Sequence, residues 1–196
     1  MRGTVVVPAK GLSRAKSRLG DALPRDARAS LAARLLSHVL STLHEAAPAL
    51  ARLVVTDGDD TASVAAALGA EIGRDPGGSL TRAGEAGLAR ADARRPVLVM
   101  MADLPELTPA DVHALLAALD DHDLALAPDP ERKGTSTLAA RAGLALPVEF
   151  GTGESFPRYL SWAKTRDLRV AILERPGLSR DLDVPEALVR LPTPPR

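Results

Sequence analysis

Pro96-Val97-Leu98-Val99-Met100-Met101-Ala102-Asp103-Leu104-Pro105, residues 96–105, is the stretch on which the fold turns. The run from Pro96 to Met101 reads as a strand, and it ends on a carboxylate followed by Leu-Pro. Near the start, Thr4-Val5-Val6-Val7-Pro8 has the same character. Its valines do not alternate with polar residues, which fits a parallel strand covered on both faces. Leu53-Val54-Val55-Thr56 is a third such run and ends at Asp57. Ala70 to Gly73, Asp123 to Pro128, Thr135 to Arg141 and Arg169 to Leu173 read as further strands.

Helical periods fill the gaps. From Pro24 onward Leu31, Leu35, Leu36, Val39, Leu40 and Leu43 recur on one helical stripe. Thr61 to Leu68, Leu80 to Ala91 and a segment running from Phe150 to Ala163 are shorter helices or run into one. A further helix announces its start: Thr108 can cap it, Pro109 suits the first helical position and Asp111 completes the capping pattern. Strands alternating with helices mean an α/β domain with a mainly parallel sheet. The expected organisation is one domain over residues 1–196, with no linker or internal repeat and a frayed LPTPPR tail. In such sheets ligands sit beyond the carboxyl ends of the strands. Lys10, Asp57 and Asp103 all come directly after strands, so the site is expected there.

The 196 residues are 45% hydrophobic, enough for one core. With 25 basic and 25 acidic residues the formal net charge is +0, which argues against a general binder of nucleic acid or anionic membrane. There is no cysteine, hence no disulfide and no thiolate metal site. The opening MRGTVVVPAKG is too short an apolar run for a signal peptide or a span. Cytoplasmic residence is the default expectation.

The usual nucleotide signatures are absent: neither a GxxxxGK[ST] loop nor a GxGxxG after the first strand occurs. In their place the first strand runs into Pro8 to Leu19, PAKGLSRAKSRL. Lys10, Arg14, Lys16 and Arg18 put four cations within nine positions. Such a loop can wrap a triphosphate with backbone N–H groups and cationic side chains, or it can be a solvated basic loop. Asp103 can hold Mg²⁺ or shape a turn. Asp181 and Asp183, two apart, face one side of an extended segment and make a metal clamp; Asp183 can equally cap a helix bearing Pro185 and Glu186 in its first turn. Gly134-Thr135-Ser136-Thr137 and Gly151-Thr152-Gly153-Glu154-Ser155 are rich in hydroxyls and glycine, suited to phosphate contacts or to turns. The aromatics Phe150, Phe156, Tyr159 and Trp162 sit beside the second loop and are read as packing the adjoining helix. His38, His44, His113 and His122 show no ligand spacing and are read as helix-face residues.

VPAKGLSRAKSRL, ADLPEL, GTSTL, FGTGESF and GLSRDLDVP, taken in order, resemble the 2-phospho-L-lactate or phosphoenolpyruvate guanylyltransferases of coenzyme F-420 biosynthesis. The likeness runs from Val5 to Pro185. It implies a single Rossmann-like domain of the glycosyltransferase-A and nucleotidyltransferase type, mostly parallel, with helices on both faces. It implies a Mg²⁺-dependent enzyme that joins GMP from GTP to a phosphorylated three-carbon acid, phosphoenolpyruvate being favoured, and releases pyrophosphate. The resemblance makes Asp103, Asp181 and Asp183 the metal carboxylates. It makes Thr135, Gly151 and Ser155 the acceptor contacts, and puts the GTP phosphates over Lys10, Gly11, Arg14, Lys16 and Arg18. Asp103, Lys16 and Arg18 would carry catalysis. The expected partners are GTP and the acid, with neither nucleic acid nor membrane, in a monomer or homodimer.

Three positions depart from the family pattern. The Gly151–Ser155 motif is one residue longer than the commonest form, Tyr159 stands where a His is usual, and Thr81 stands where an Asn often does. Two rival readings remain. A molybdenum-cofactor-type guanylyltransferase would carry a Gly-Gly-x-S-x-R loop where Pro8-Ala9-Lys10-Gly11 stands. A non-catalytic nucleotide-binding protein on the same fold would be expected to lack one of the metal carboxylates, and all three are present.

Overall fold

The computed structural model describes residues 2–182. Among these residues seven strands form one mixed sheet in the order β3-β2-β1-β4-β6-β5-β7. These are β1 (Gly3–Pro8), β2 (Leu50–Thr56), β3 (Glu71–Arg74), β4 (Val97–Met100), β5 (Leu124–Pro128), β6 (Thr135–Ala140) and β7 (Val170–Ile172). Strands β1 to β4 are mutually parallel, and β7 is parallel to β5. Strand β6 alone runs antiparallel, to β4 on one side and β5 on the other. The expected mainly parallel sheet is therefore correct, and β6 is its one reversal.

Helices α1 (Arg25–Ala46), α2 (Asp59–Ala67), α3 (Leu80–Leu88), α4 (Pro109–Asp121), α5 (Ser155–Lys164) and α6 (Pro176–Ser179) complete the fold. The run of valines in β1 shows why helices must cover both faces. Val5 and Val7 pack with Leu36, Val39 and Leu40 of α1 and with Val112 and Leu115 of α4. Val6 points the other way, into a core shared with Ala83 of α3 and with Phe156, Tyr159 and Ala163 of α5. All three valines are fully buried, and each such side chain contributes ~1.5–3 kcal/mol relative to exposure. Helix α3 comes close because Gly87 lies against Val6, where an added Cβ would collide with the valine side chain.

The capping signal at Thr108 is realised in full. Its hydroxyl accepts from the Asp111 N–H while the Asp111 carboxylate accepts from the Thr108 N–H. Helix α3 stops at Leu88 rather than Ala91, because its last turn tightens into three-residue bonds from Arg90 and Ala91. Phe150, Phe156 and Tyr159 are buried in the α5 core, as their reading as packing residues requires. Three of the histidines hold backbone carbonyls: His38 that of Leu107, His113 that of Ala46 and His122 that of Ala118. Two 3-10 turns, Leu12–Arg14 and Ser17–Leu19, and the four-residue α6 leave no periodic signal in the sequence and were not anticipated. Among the described residues no helix is long and apolar enough to cross a membrane.

Candidate active site

The carboxyl ends of β1, β2 and β4 lie side by side in the parallel half of the sheet, and each emits a segment with chemistry. Strand β1 runs into Ala9-Lys10-Gly11, β2 into Asp57 and β4 into Met101-Ala102-Asp103. A cavity of about 460 Å³ opens at this edge. Lys10, Arg14, Lys16 and Arg18 line it, and so do Asp103 and Asp181. Ser79, Leu80 and Gly151 line it as well. That size suits a small organic ligand.

The basic loop is not a free cradle of backbone donors. The Asp57 carboxylate accepts the Gly11 N–H at 3.1 Å, and Asp60 accepts those of Leu12 and Ser13 at 3.2 and 3.3 Å. The Thr61 hydroxyl donates to the Lys10 carbonyl at 2.9 Å, and Arg14 pairs with Asp57 at 2.6 Å. The N–H groups of residues 11–13 are thus occupied, and what the loop offers the cavity is its cationic side chains. Gly11 is not among the residues lining the cavity; its backbone passes against Gly58 so closely that a Cβ on Gly58 would overlap it. Burial disfavours the Asp60 carboxylate, yet the N–H groups of Thr61, Leu12 and Ser13 outweigh that and hold its pKa below the usual value.

Further along, Lys16 sits in the left-handed region with φ 54°, which a non-glycine residue adopts only when its surroundings enforce it. Arg28 of α1 donates to the Lys16 carbonyl. The Lys16 ammonium, with its side chain only 5% exposed, is hydrogen-bonded to the Asp103 carboxylate. The strained backbone and the buried cation belong together: the turn delivers Lys16 across the cavity to the end of β4.

Asp181 reaches the same edge by a different device. The hydroxyls of Ser136 and Thr137 on β6 donate to the carbonyls of Ser179 and Leu178, which fixes α6 against the sheet. Arg175, at the start of α6, pairs at 2.6 Å with the buried Asp111 of α4. The Leu182 N–H then donates to the Asp103 carbonyl at 3.1 Å. The Leu182 side chain is fully buried with Leu19, Leu31 and Leu35 in a small core of its own. An apolar residue next to Asp181 thereby anchors the segment that carries it. Asp183 lies outside the described residues, and so do Pro185 and Glu186, so both its readings, ligand and cap, remain open. Asp103 and Asp181 are the carboxylates on the cavity wall, and oxygen donors of this kind fit a hard divalent cation. Among the described residues no three His, Asp or Glu side chains converge as a metal site by themselves.

Of the expected acceptor residues, Gly151 lies on the cavity wall, while Thr135 and Ser155 are buried and do not line it. The Phe156 N–H donates to the Lys133 carbonyl, which brings the start of α5 to the start of β6. The Met101 N–H donates to the Ser136 carbonyl, so Thr135 borders the segment that ends in Asp103. Ser136 and Thr137 are spent on α6, which leaves Thr135 as the hydroxyl of that motif without a hydrogen bond. Its Oγ1 is buried and has no hydrogen-bond partner. An orphaned buried hydroxyl costs ~1–3 kcal/mol and calls for a reason.

Sequence reasoning missed Asp60, Thr61 and Leu182. Asp60 and Thr61 come after a strand just as Asp57 does, and that position was a usable signal. Leu182 carried none, since one leucine between two acids has no periodicity. Tyr159, one of the three departures noted in the sequence, is engaged within the fold: its hydroxyl accepts the Glu149 N–H and donates to the Pro147 carbonyl. Burial pushes its pKa up.

Residues 3–192 match the family model described as "Guanylyl transferase CofC like". The chain is 42% identical over 190 residues to the phosphoenolpyruvate guanylyltransferase of Rubrobacter xylanophilus, covering 95% of this chain and 91% of that one. It is 35% identical over 192 residues to the 3-phospho-D-glycerate guanylyltransferase of Phenylobacterium zucineum, covering 95% and 88%. Among solved structures it resembles glucosyl-3-phosphoglycerate synthase from Mycobacterium tuberculosis in complex with Mg²⁺ and uridine diphosphate. The TM-score is 0.66 at 16% identity, over 95% of this chain and 73% of that one, a likeness of fold.

Proposed function

The chain belongs to the CofC-like guanylyl transferase family, and from that premise we propose that it transfers GMP from GTP to a phosphorylated three-carbon acid in coenzyme F-420 biosynthesis. Phosphoenolpyruvate is the favoured acceptor, in keeping with the name of the Rubrobacter relative. The observation that carries the reading is the cavity at the strand ends, which sets Lys10, Arg14, Lys16 and Arg18 against Asp103 and Asp181.

The chemistry needs little else. An oxygen of the acceptor's phosphate is already anionic and forms a new bond to the α-phosphorus of GTP. The bond from that phosphorus to the bridging oxygen of the β-phosphate breaks, and pyrophosphate leaves with the electron pair. No proton must be removed, so no general base is called for. The obstacle is charge, because an anion approaches a polyanion and another departs. Lys16 and Arg18 meet that charge at the phosphates, with Lys10 and Arg14 nearer β1 on the same loop, and catalysis is positioning and electrostatic stabilisation. Mg²⁺, held by Asp103 and Asp181 together with Asp183, would neutralise and align the reacting oxygens. For the acceptor, we take Gly151 on the cavity wall as a contact, and add Thr135 and Ser155, buried off that wall, from the family resemblance. We assign the chain to the cytoplasm, as one nucleotidyltransferase domain working as a monomer or homodimer.

The test is pyrophosphate release from GTP with Mg²⁺ and each of phosphoenolpyruvate, 2-phospho-L-lactate and 3-phospho-D-glycerate. GTP should be used well above ATP, CTP and UTP, with phosphoenolpyruvate the best acid. Comparable turnover with ATP, or no turnover with any of the acids, would sink the proposal.

A further inference from the structure

Guanylyl transfer leaves unused one of the three departures from the family pattern, Thr81 at the start of α3. Its hydroxyl donates to the carbonyl of Phe150 at 2.7 Å, across 69 positions of sequence. Phe150 is buried and immediately precedes Gly151, the acceptor-side residue on the cavity wall. Gly151 has φ +81°, and a Cβ there would come within 3.1 Å of the Leu80 Cβ. One turn on, a Cβ at Gly84 would lie 2.8 Å from a methyl of Val148. The first two turns of α3 therefore lie flush against residues 148–151. Ser79 and Leu80, which precede Thr81, line the same cavity as Gly151. Ser79 is itself fixed as the helix cap, accepting from the Arg82 N–H.

We propose that Thr81 is a positioning residue for acceptor specificity: its hydroxyl sets the height of the Gly151 loop over the cavity and so the fit of the acid. The loop crosses Gly151 in a left-handed conformation, which many backbone paths around it would satisfy. A hydrogen bond to the carbonyl just before the glycine selects one of them. Thr81 itself does not touch the acid. The inference rests on the reading of Gly151 as an acceptor contact, and the experiment separates the two.

Thr81→Val keeps the shape and removes the donor. The KM for phosphoenolpyruvate should rise about three- to tenfold, the factor that loss of one neutral hydrogen bond is worth. The KM for GTP and the melting temperature should stay nearly constant. Thr81→Ser, which restores the hydroxyl, should return the acid KM towards the wild-type value, and Thr81→Ala should behave as Val does. An unchanged acid KM in both Val and Ala variants overturns the proposal, and so does a rise in both KM values alongside a fall in melting temperature, which marks a structural staple. Gly151→Ala is the separate check on the premise. If it raises the acid KM while Thr81→Val does not, the loop contacts the acid and Thr81 does not govern it; if it raises the GTP KM instead, the acceptor assignment of the loop fails.

Discussion

The basic loop after β1 is held by carboxylates: Asp57 and Asp60 take the N–H groups of residues 11–13, and Arg14 pairs with Asp57. The glycine loop before α5 is held mainly by neutral groups. Thr81 donates to the Phe150 carbonyl, Thr152 to that of Glu149, and the Tyr159 hydroxyl bridges Glu149 and Pro147. Both loops face one cavity, but they answer to different conditions. The first depends on ionisation and is weakened by acid and by salt, since exposed pairs such as Arg14–Asp57 are worth only ~0–1 kcal/mol. The second carries one exposed pair, Arg158–Glu149 at 3.4 Å, and otherwise depends on neutral hydrogen bonds and on packing against α3. On the proposed reading the site holds a polyanion, and two of its cations, Arg14 and Lys16, are already paired with carboxylates of the chain, Asp57 and Asp103.

The contrast between the loops can be broken most forcefully at the centre of the site. Asp103→Asn keeps size and removes the charge that Lys16 faces. We expect kcat to fall by about a hundredfold or more in a protein that still folds, with some loss of melting temperature because the buried Lys16 loses its counter-charge. Activity near the wild-type level would remove Asp103 from the chemistry and with it the mechanism. Next in size, Lys16→Ala and Arg18→Ala should each cost roughly tenfold or more in kcat/KM for GTP, because a charge-assisted contact is worth ~1.5–3 kcal/mol. Kinetics that stay the same in both variants would return the loop to a solvated basic segment. On the acceptor side, Thr135→Ala at the start of β6 and Ser155→Ala at the start of α5 should raise the KM for the acid a few-fold and more than that for GTP. The opposite order would mean that the two subsites are exchanged.

The smallest effect is the one that separates the two loops by pH. The pKa of Asp60 in the folded protein lies below its ordinary value of 3.8. Its contribution is therefore complete above that value and fades as pH drops through the folded pKa. Melting temperature followed downward from neutral pH should fall less steeply at the acid end in Asp60→Asn than in the wild type, while Thr81→Val should leave the slope as it was. Parallel acid limbs for wild type and Asp60→Asn would show that the loop does not draw on this carboxylate.

Much of the sheet was open to reading because burial on both faces writes itself as runs of valine and leucine. Thr4 to Pro8, Leu53 to Thr56 and Pro96 to Met101 all lie in observed strands or at their ends. The α4 cap was legible for a local reason, since Thr108, Pro109 and Asp111 act on their own neighbours. The hidden part is non-local. Nothing in Asp60 announces that it binds backbone 47 positions earlier, and nothing in Ser136 and Thr137 announces that their hydroxyls are spent on α6 rather than left for a phosphate. Lys10, Arg14, Lys16 and Arg18 were visible as a cluster, yet their shared exposure to one cavity depends on a left-handed Lys16 that no periodicity predicts.

The crossing of Gly11 and Gly58 has a consequence for any exhaustive mutational scan. A single methyl group at Gly58 would meet the Gly11 backbone and the Asp60 carboxylate together. Every substitution there is expected to disturb the site, although the position carries no functional group. Scored by growth or turnover alone, such a position would rank with Asp103 and pass for part of the chemistry. Its signature differs in one respect. Losses at Asp103 should depend on which side chain replaces it, whereas at Gly58 every replacement should fail alike, with alanine no milder than the charged ones in kind.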